Sequence, residues 1–190
     1  MSVRRGSVRR ITVVGEGILS RPCREVTEFG TAELSTLIDD MFVTMYVAEG
    51  AGLAANQVGV DLRLFVYDCP DDDGVRHVGH IVNPVLDQPD PGSRRLVDDV
   101  EGCLSVPGAV MTVPRTDRAV VRGFDQDGNP LVVEGMGYFA RCLQHESDHL
   151  AGHTYLDRLS KRDRKDALRQ MEDRREEVFA QRALRAADLS

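Results

Sequence analysis

The chain has 190 residues, an apolar fraction of 42% and a formal charge of −7. That length suits one compact domain with an appendage, and the apolar share is enough for a core. The acidic balance excludes general affinity for nucleic-acid backbones or acidic membranes, and no apolar run is long enough to span a bilayer.

Residues 1–10 are basic, with Arg4, Arg5, Arg9 and Arg10. No apolar signal core follows them, so they read as an extension without fixed structure on a cytoplasmic protein. Ile11 to Val14 is a β-branched run, a strand or an extended lead-in. From Thr31 to about Ala48 the residues Leu34, Leu37, Ile38, Met41, Phe42 and Met45 recur at three- and four-residue steps. That spacing predicts an amphipathic helix, capped by Thr31, with Glu33 in its first turn and Gly50 as its stop. The following Gly50-Ala51-Gly52-Leu53-Ala54-Ala55-Asn56-Gln57 reads as a tight small-residue turn ending in an amide. Its glycine spacing is wrong for a dinucleotide fingerprint and no strand leads into it.

Residues 62–68 predict a strand, 69–74 an acidic turn, and Gly79 to Asn83 a second strand stopped by Pro84. Residues 94–100 are weakly extended. Ala119 to Phe124 and Leu131 to Glu134 predict a hairpin around the turn Asp125 to Pro130. A helix is expected from about Gly137 to Ala151, ended by Gly152. From Ser160 to about Ala187 a long charged helix is expected, docked by a thin stripe of Leu168, Met171, Val178 and Leu184. Ser160 and Asp163 resemble a capping box with Asp in place of Glu. The order of elements predicts an α+β fold: short, mostly antiparallel sheets around a central metal-binding helix, with an N-terminal helix and a long C-terminal helix. The expected divisions are a basic extension (1–10), a catalytic domain (11–160) and a helical extension packed on it (161–190). Cys23, Cys69, Cys103 and Cys142 form no C-x-x-C pair, which suggests free thiols, one of them a metal ligand.

The segment His145-Glu146-Ser147-Asp148-His149 carries the chemistry. On a helix, residues four apart share a face, so the two imidazoles can hold one cation. The adjacent Glu146 can serve as general base toward a water. A chance motif of this kind shows its histidines to solvent. Here Phe139, Cys142, Leu143 and Leu150 make the helix read as buried, and buried histidines and acids need partners. Two histidines do not close a tetrahedral site; a third protein ligand leaves one position for solvent. Four residues compete for that place: Cys142, His153, Tyr155 and Cys103. Tyr155 stands where H-E-x-x-H-x-x-G-x-x-H peptidases carry a histidine. Cys103 follows Gly102, which permits close backbone approach, and precedes two N–H groups, those of Leu104 and Ser105, that a reacting oxygen could meet.

Three segments taken together resemble the peptide deformylase family: Gly50-Ala51-Gly52-Leu53-Ala54-Ala55-Asn56-Gln57, Glu101-Gly102-Cys103-Leu104-Ser105 and Gln144-His145-Glu146-Ser147-Asp148-His149-Leu150. Weaker likenesses, such as Asn83-Pro84 and Val113-Pro114-Arg115, spread from about Leu19 to Ser160. Three stretches depart from the commoner pattern: Glu16-Gly17-Ile18-Leu19, Asp98-Asp99-Val100 before the cysteine motif, and the single residue Val110.

The resemblance implies Cys103, His145 and His149 as ligands of one Fe²⁺ per chain, replaceable by Ni²⁺ or Zn²⁺. It implies Glu146 as base, and the Gln57 amide with the Leu104 N–H as oxyanion donors. The implied reaction removes formate from N-formylmethionyl nascent peptides. The implied partners are those peptides and the ribosome near its exit tunnel, with no specific DNA and no membrane. Ala51, Gly52, Tyr138, Arg141 (by its stem) and Cys142 are expected to wall the methionine pocket. Glu101 and Arg115 are expected to form an ion pair fixing the cysteine loop, and Asp148 to accept bonds from a neighbouring arginine. The alternatives are a zinc endopeptidase of the H-E-x-x-H type and a non-catalytic metal-binding or ribosome-associated module.

Overall fold

The computed structural model describes residues 6–88, 90–92 and 94–189. Residues 1–5 of the basic extension, with Arg4 and Arg5, lie outside the described residues. Residues 7–10 do not hang free as expected. Ser7 N donates to Asp40 Oδ1 at 2.6 Å, Arg9 N to Thr44 Oγ1 at 2.9 Å, and Arg9 Nε to Asp40 Oδ2 at 2.8 Å. Asp40 and Thr44 are buried polar residues, so these bonds satisfy groups that burial would otherwise leave orphaned. Ile11 to Val14 is an extended lead-in rather than a strand. Thr12 N donates to Gln57 O and Val14 N to Ser105 O, both at 2.8 Å, which ties together two of the motif segments.

Helix α1 (Ala32–Val47) begins with the Thr31 side chain accepting from Leu34 N. It buries Leu34, Leu37, Ile38, Met41 and Met45 against Leu53, Leu64, Val66 and Val82. Its left-handed terminus is Glu49 (φ 56°), one residue before the glycine expected to supply it.

Gly52–Ala54, read from sequence as turn, forms strand β1 and pairs with β2 (Leu64–Pro70) in the register Gly52↔Tyr67. A single 3-10 turn, Ala55–Val58, follows β1. Strand β3 (Arg76–Leu86) runs straight through Pro84. The chain absorbs the proline at a bulge between Val82 and Val85, where Asn83 takes φ 50°. The Asn83 side chain then bonds both Val26 N and Val26 O, replacing ladder bonds that the bulge breaks.

Strands β4 (Leu96–Cys103) and β5 (Val106–Thr116) form a separate antiparallel pair. Strand β5 has no local strand signal, because Pro107, Gly108 and Pro114 look like breakers. A two-stranded ladder leaves each strand one unpaired edge, where prolines are tolerated. Strands β6 (Arg118–Phe124) and β7 (Pro130–Met136) make the expected hairpin and complete a five-stranded sheet of order β1-β2-β3-β6-β7.

Helix α2 (Gly137–Leu150) lies against that sheet. Phe139, Ala140, Leu143 and Leu150 pack with Phe65, Tyr67, Ile81, Val121 and Val133. The Asp72 carboxylate caps it by accepting from Tyr138 N at 2.9 Å, an anion at the positive end of the helix dipole. Helix α3 (Lys161–Ala187) covers β5, burying Ala167 and Met171 with Val106, Ala109, Val113, Tyr155 and Leu156. Its docking stripe differs from the expected one. Met171 is buried and Val178 partly so, but Leu184 is 69% exposed and Leu168 points outward. The small Ala167 lets the helix approach closely, and the stripe continues through Val178 to Arg182. Ser160 caps α3 by accepting from Asp163 N, while its hydroxyl donates to the Asp163 carboxylate. No helix among the described residues is long and apolar enough to cross a membrane.

Candidate metal centre and catalytic pocket

Helix α2 buries His145 and His149 on one face, and the end of β4 brings Cys103 to them. The Cys103, His145 and His149 donor atoms lie within 4.8 Å of one another. His149 Nε2 stands 3.2 Å from both Cys103 Sγ and His145 Nε2. Two observations fit a cation there. His145 Nδ1 contacts Glu101 Oε1 at 2.5 Å, which fixes the tautomer and turns the Nε2 lone pair inward. The Cys103 thiol is held down to about 5: burial alone would raise it, and His149 and His145 more than offset that. At neutral pH it is therefore the thiolate, the form that ligates.

The other three contenders for the third ligand stand elsewhere. Cys142 Sγ donates to Ala51 O at 3.6 Å and faces the pocket. His153 is exposed and sits 3.7 Å from Asp157. Tyr155 is buried, with its hydroxyl donating to Ala109 O and its ring stacked 6.4 Å from that of His145. Glu172, the downstream acid an endopeptidase would need, is exposed on α3 beside Arg175. All four cysteines are free.

Glu101 organises the surrounding charge. It accepts from Arg115 Nη2 at 2.5 Å, Arg115 Nε at 2.9 Å and Arg141 Nη1 at 3.0 Å. Arg115 also reaches Asp148 Oδ2 at 2.7 Å, and Arg158 grips the same carboxylate through two bonds. The Glu101–Arg115 pair is buried, not a surface bridge, with side-chain exposures of 5% and 1%. Burial would raise Glu101, but Arg115 and His145 hold its carboxyl well below the usual carboxylate range. Arg141, expected only as a pocket wall, also donates to Val113 O and Val97 O, so its guanidinium locks β4, β5 and α2 together.

A cavity of about 350 Å³ opens on these groups. Ala51, Gly52, Gln57, Leu104, Tyr138, Arg141, Cys142 and Glu146 all line it. Glu146 is buried, its Oε2 has no hydrogen-bond partner, and burial pushes its carboxyl up to about 7 against the pull of His145 and His149. Gly52 is needed here: a Cβ would stand 2.5 Å from Glu146 Oε1. The orientation of the Gln57 amide is set by Ala54 N, which donates to Oε1 at 2.9 Å. Its Nε2 then faces Ser105 Oγ at 3.1 Å and Cys103 Sγ at 3.7 Å. Leu104 sits on the turn between β4 and β5, its side chain against Gly50.

Sequence reasoning did not find Glu49, Pro107, Gly108 or Arg182 at the cavity, though the structure places all four there. The departures Val100 and Val110 also line it, while Gly17 begins a 3-10 turn that does not. No periodicity marks Arg182, one charge among many on α3.

Comparison with known proteins points to one family. The family model described as polypeptide deformylase matches residues 8–165. Peptide deformylase 1 of Streptomyces avermitilis is 60% identical over 167 residues, covering 88% of this chain and 77% of that protein. Peptide deformylase 2 of Streptomyces coelicolor is 51% identical over 166 residues, covering 87% and 90%. Among solved structures, a peptide deformylase from Legionella pneumophila superposes with a TM-score of 0.79 at 40% identity, covering 90% of this chain and 96% of that one. The Ehrlichia chaffeensis peptide deformylase in complex with actinonin gives 0.78 at 38% identity, covering 88% and 98%. The chain belongs to the peptide deformylase family, metal-dependent hydrolases that remove the formyl group from the N-terminus of newly made polypeptides.

Proposed function

We propose that the chain carries out this deformylation with one Fe²⁺ held by Cys103, His145 and His149, with Glu146 as general base. The observation that carries the reading is the meeting of one thiolate and two imidazoles beside a buried carboxylate whose Oε2 has no protein partner. The soft thiolate suits Fe²⁺ or Zn²⁺, with Ni²⁺ as a further replacement. A divalent cation bound there would polarise the formyl oxygen and lower the pKa of a water from ~15.7 towards neutrality.

The chain's own residues supply the rest. Glu146 takes a proton from the attacking water as its oxygen bonds to the formyl carbon. The Gln57 Nε2 amide and the Leu104 N–H stabilise the oxyanion, each worth about 10²–10³ in rate. As the C–N bond breaks, Glu146 returns the proton to the leaving amine, giving formate and a free amino terminus. Ala51, Gly52, Cys142, Tyr138 and the Arg141 stem wall the methionine side chain. Glu101 and Arg115 hold the cysteine loop and the His145 ring.

We further infer that residues 11–160 form the catalytic unit and 161–190 a helical extension docked on it. The enzyme is proposed to act in the cytoplasm on nascent chains emerging near the ribosomal exit tunnel. Co-sedimentation with ribosomes carrying nascent chains tests that last point; recovery only in the unbound fraction would count against it. The direct test of the base is a formate-release assay on a formyl-Met peptide. Glu146→Ala should retain metal and lose turnover by at least about 10²-fold, and undiminished turnover would overturn the assignment.

A further inference from the structure

We propose that Arg182, on the C-terminal helix, is a positioning residue that tunes the Cys103 thiolate through a single peptide group. Arg182 lies beyond the stretch matched by the family model, yet it lines the catalytic cavity. Its Nη2 donates to the Leu104 carbonyl at 3.1 Å. That carbonyl shares its peptide unit with Ser105 N–H, which donates to Cys103 Sγ at 3.4 Å. A cation on the oxygen of an amide polarises the whole unit and makes its N–H a stronger donor. A stronger donor withdraws charge from the sulfur, and hydrogen bonds to a ligand atom set what that ligand gives its metal.

The placement of the guanidinium supports this. Arg182 Nε is buried without a hydrogen-bond partner, and no carboxylate among the described residues pairs with it. A partly buried cation with one unsatisfied N–H is unfavourable unless a compensating charge stands near. Burial disfavours its charge most and neighbouring Arg185 repels it, while the Cys103 thiolate is the anion that opposes both. Arg185 has its own carboxylate, Glu49, at 2.6 Å on the cavity rim. The helix is also fixed in register. Gln170 Oε1 accepts from Val110 N at 3.1 Å, and a Cβ on Gly108 would stand 2.5 Å from Arg174 Cβ. α3 is thus anchored on the cavity rim through Arg185 and Glu49, and presents Arg182 to the cavity.

The inference rests on Cys103 as a metal ligand, and the test separates the two claims. The Co²⁺-substituted full chain should show a thiolate-to-cobalt charge-transfer band; its absence from the parent protein would remove the ligand assignment itself. Given that band, Arg182→Met and Arg182→Gln should both move it to longer wavelength, because the sulfur becomes more electron-rich. kcat should fall about 10-fold with KM unchanged. Arg182→Lys should keep the band near its parent position, and Arg185→Met should leave it unmoved. A band unmoved in either neutral variant, or moved equally by Arg185→Met, would reduce Arg182 to a structural anchor and overturn the proposal. If Arg182→Met does not fold, Arg182→Gln, which keeps a donor but no charge, decides alone.

Discussion

Glu101 ties the site together through one carboxylate, on which Arg115, Arg141 and His145 converge. Removing one partner from such a buried network leaves an uncompensated charge, at a cost of about 3–5 kcal/mol. Arg115→Met should therefore lower stability by that amount in urea titration, and a loss below ~1 kcal/mol would mean that the network is dispensable. The same groups set the response to acid. Burial would raise both Glu101 and Asp148, yet Arg115 and His145 hold the first, and Arg158 and Arg115 the second, below their ordinary values. Their contribution is therefore complete above the unfolded carboxylate range of about 4 and is lost as pH falls towards the folded values. An acid titration followed by circular dichroism should find the midpoint at higher pH in Arg115→Met than in the parent. Gly52 shows the opposite kind of constraint. A methyl group there meets Glu146 Oε1 at 2.5 Å, so Gly52→Ala should cost turnover far more than stability. A Gly52→Ala protein with full kcat would show that Glu146 works from another position.

At the scale of elements, legibility followed periodicity. Helices α1 and α2 stood out because their apolar spacing matches a 3.6-residue repeat and because each bears a clear terminal signal, Thr31 and Gly152. Strand β5 was hidden by Pro107, Gly108 and Pro114, and β1 by its glycine and alanine. In both cases pairing partners, which no local signal encodes, decided the conformation. Pro84 misled for the same reason: the Asn83 bulge and its bonds to Val26 are long-range. The grouping of Cys103, His145 and His149 with Glu146 was legible, because each stands in a short motif of fixed residue types and the fold brings those motifs together. Arg182 was not, because a lone arginine on a charged helix carries no local mark. The docking stripe of α3 was read with the right period but a partly wrong phase, and the buried Ala167 carried the difference. Ala167→Leu should overpack the α3–β5 contact and cost about 1–3 kcal/mol, whereas Leu184→Lys should stay within about 0.5 kcal/mol. Equal effects of the two in thermal unfolding would place the interface elsewhere.

Across the whole molecule, the site is where two structural halves meet. The five-stranded sheet carries α2 and its two histidines, while the β4–β5 pair, backed by α3, carries the cysteine. Besides packing, the bonds that bridge these halves include those of Glu101 and Arg141, Arg115 to Asp148, Gln144 to Thr116, Gln57 to Ser105, and the lead-in at Thr12 and Val14. A cation shared between them would bind the folded state alone, and at 100 times its Kd it would add ~2.7 kcal/mol. Chelation should therefore lower the melting temperature of the parent but leave that of Cys103→Ala unchanged. The most direct measurement is X-ray absorption at the metal edge of anaerobically prepared protein, with metal content determined on the same sample. The account predicts one metal per chain, with one sulfur and two imidazole nitrogens in its coordination sphere. A metal bound without sulfur, or one retained at parental content in Cys103→Ala, would contradict it.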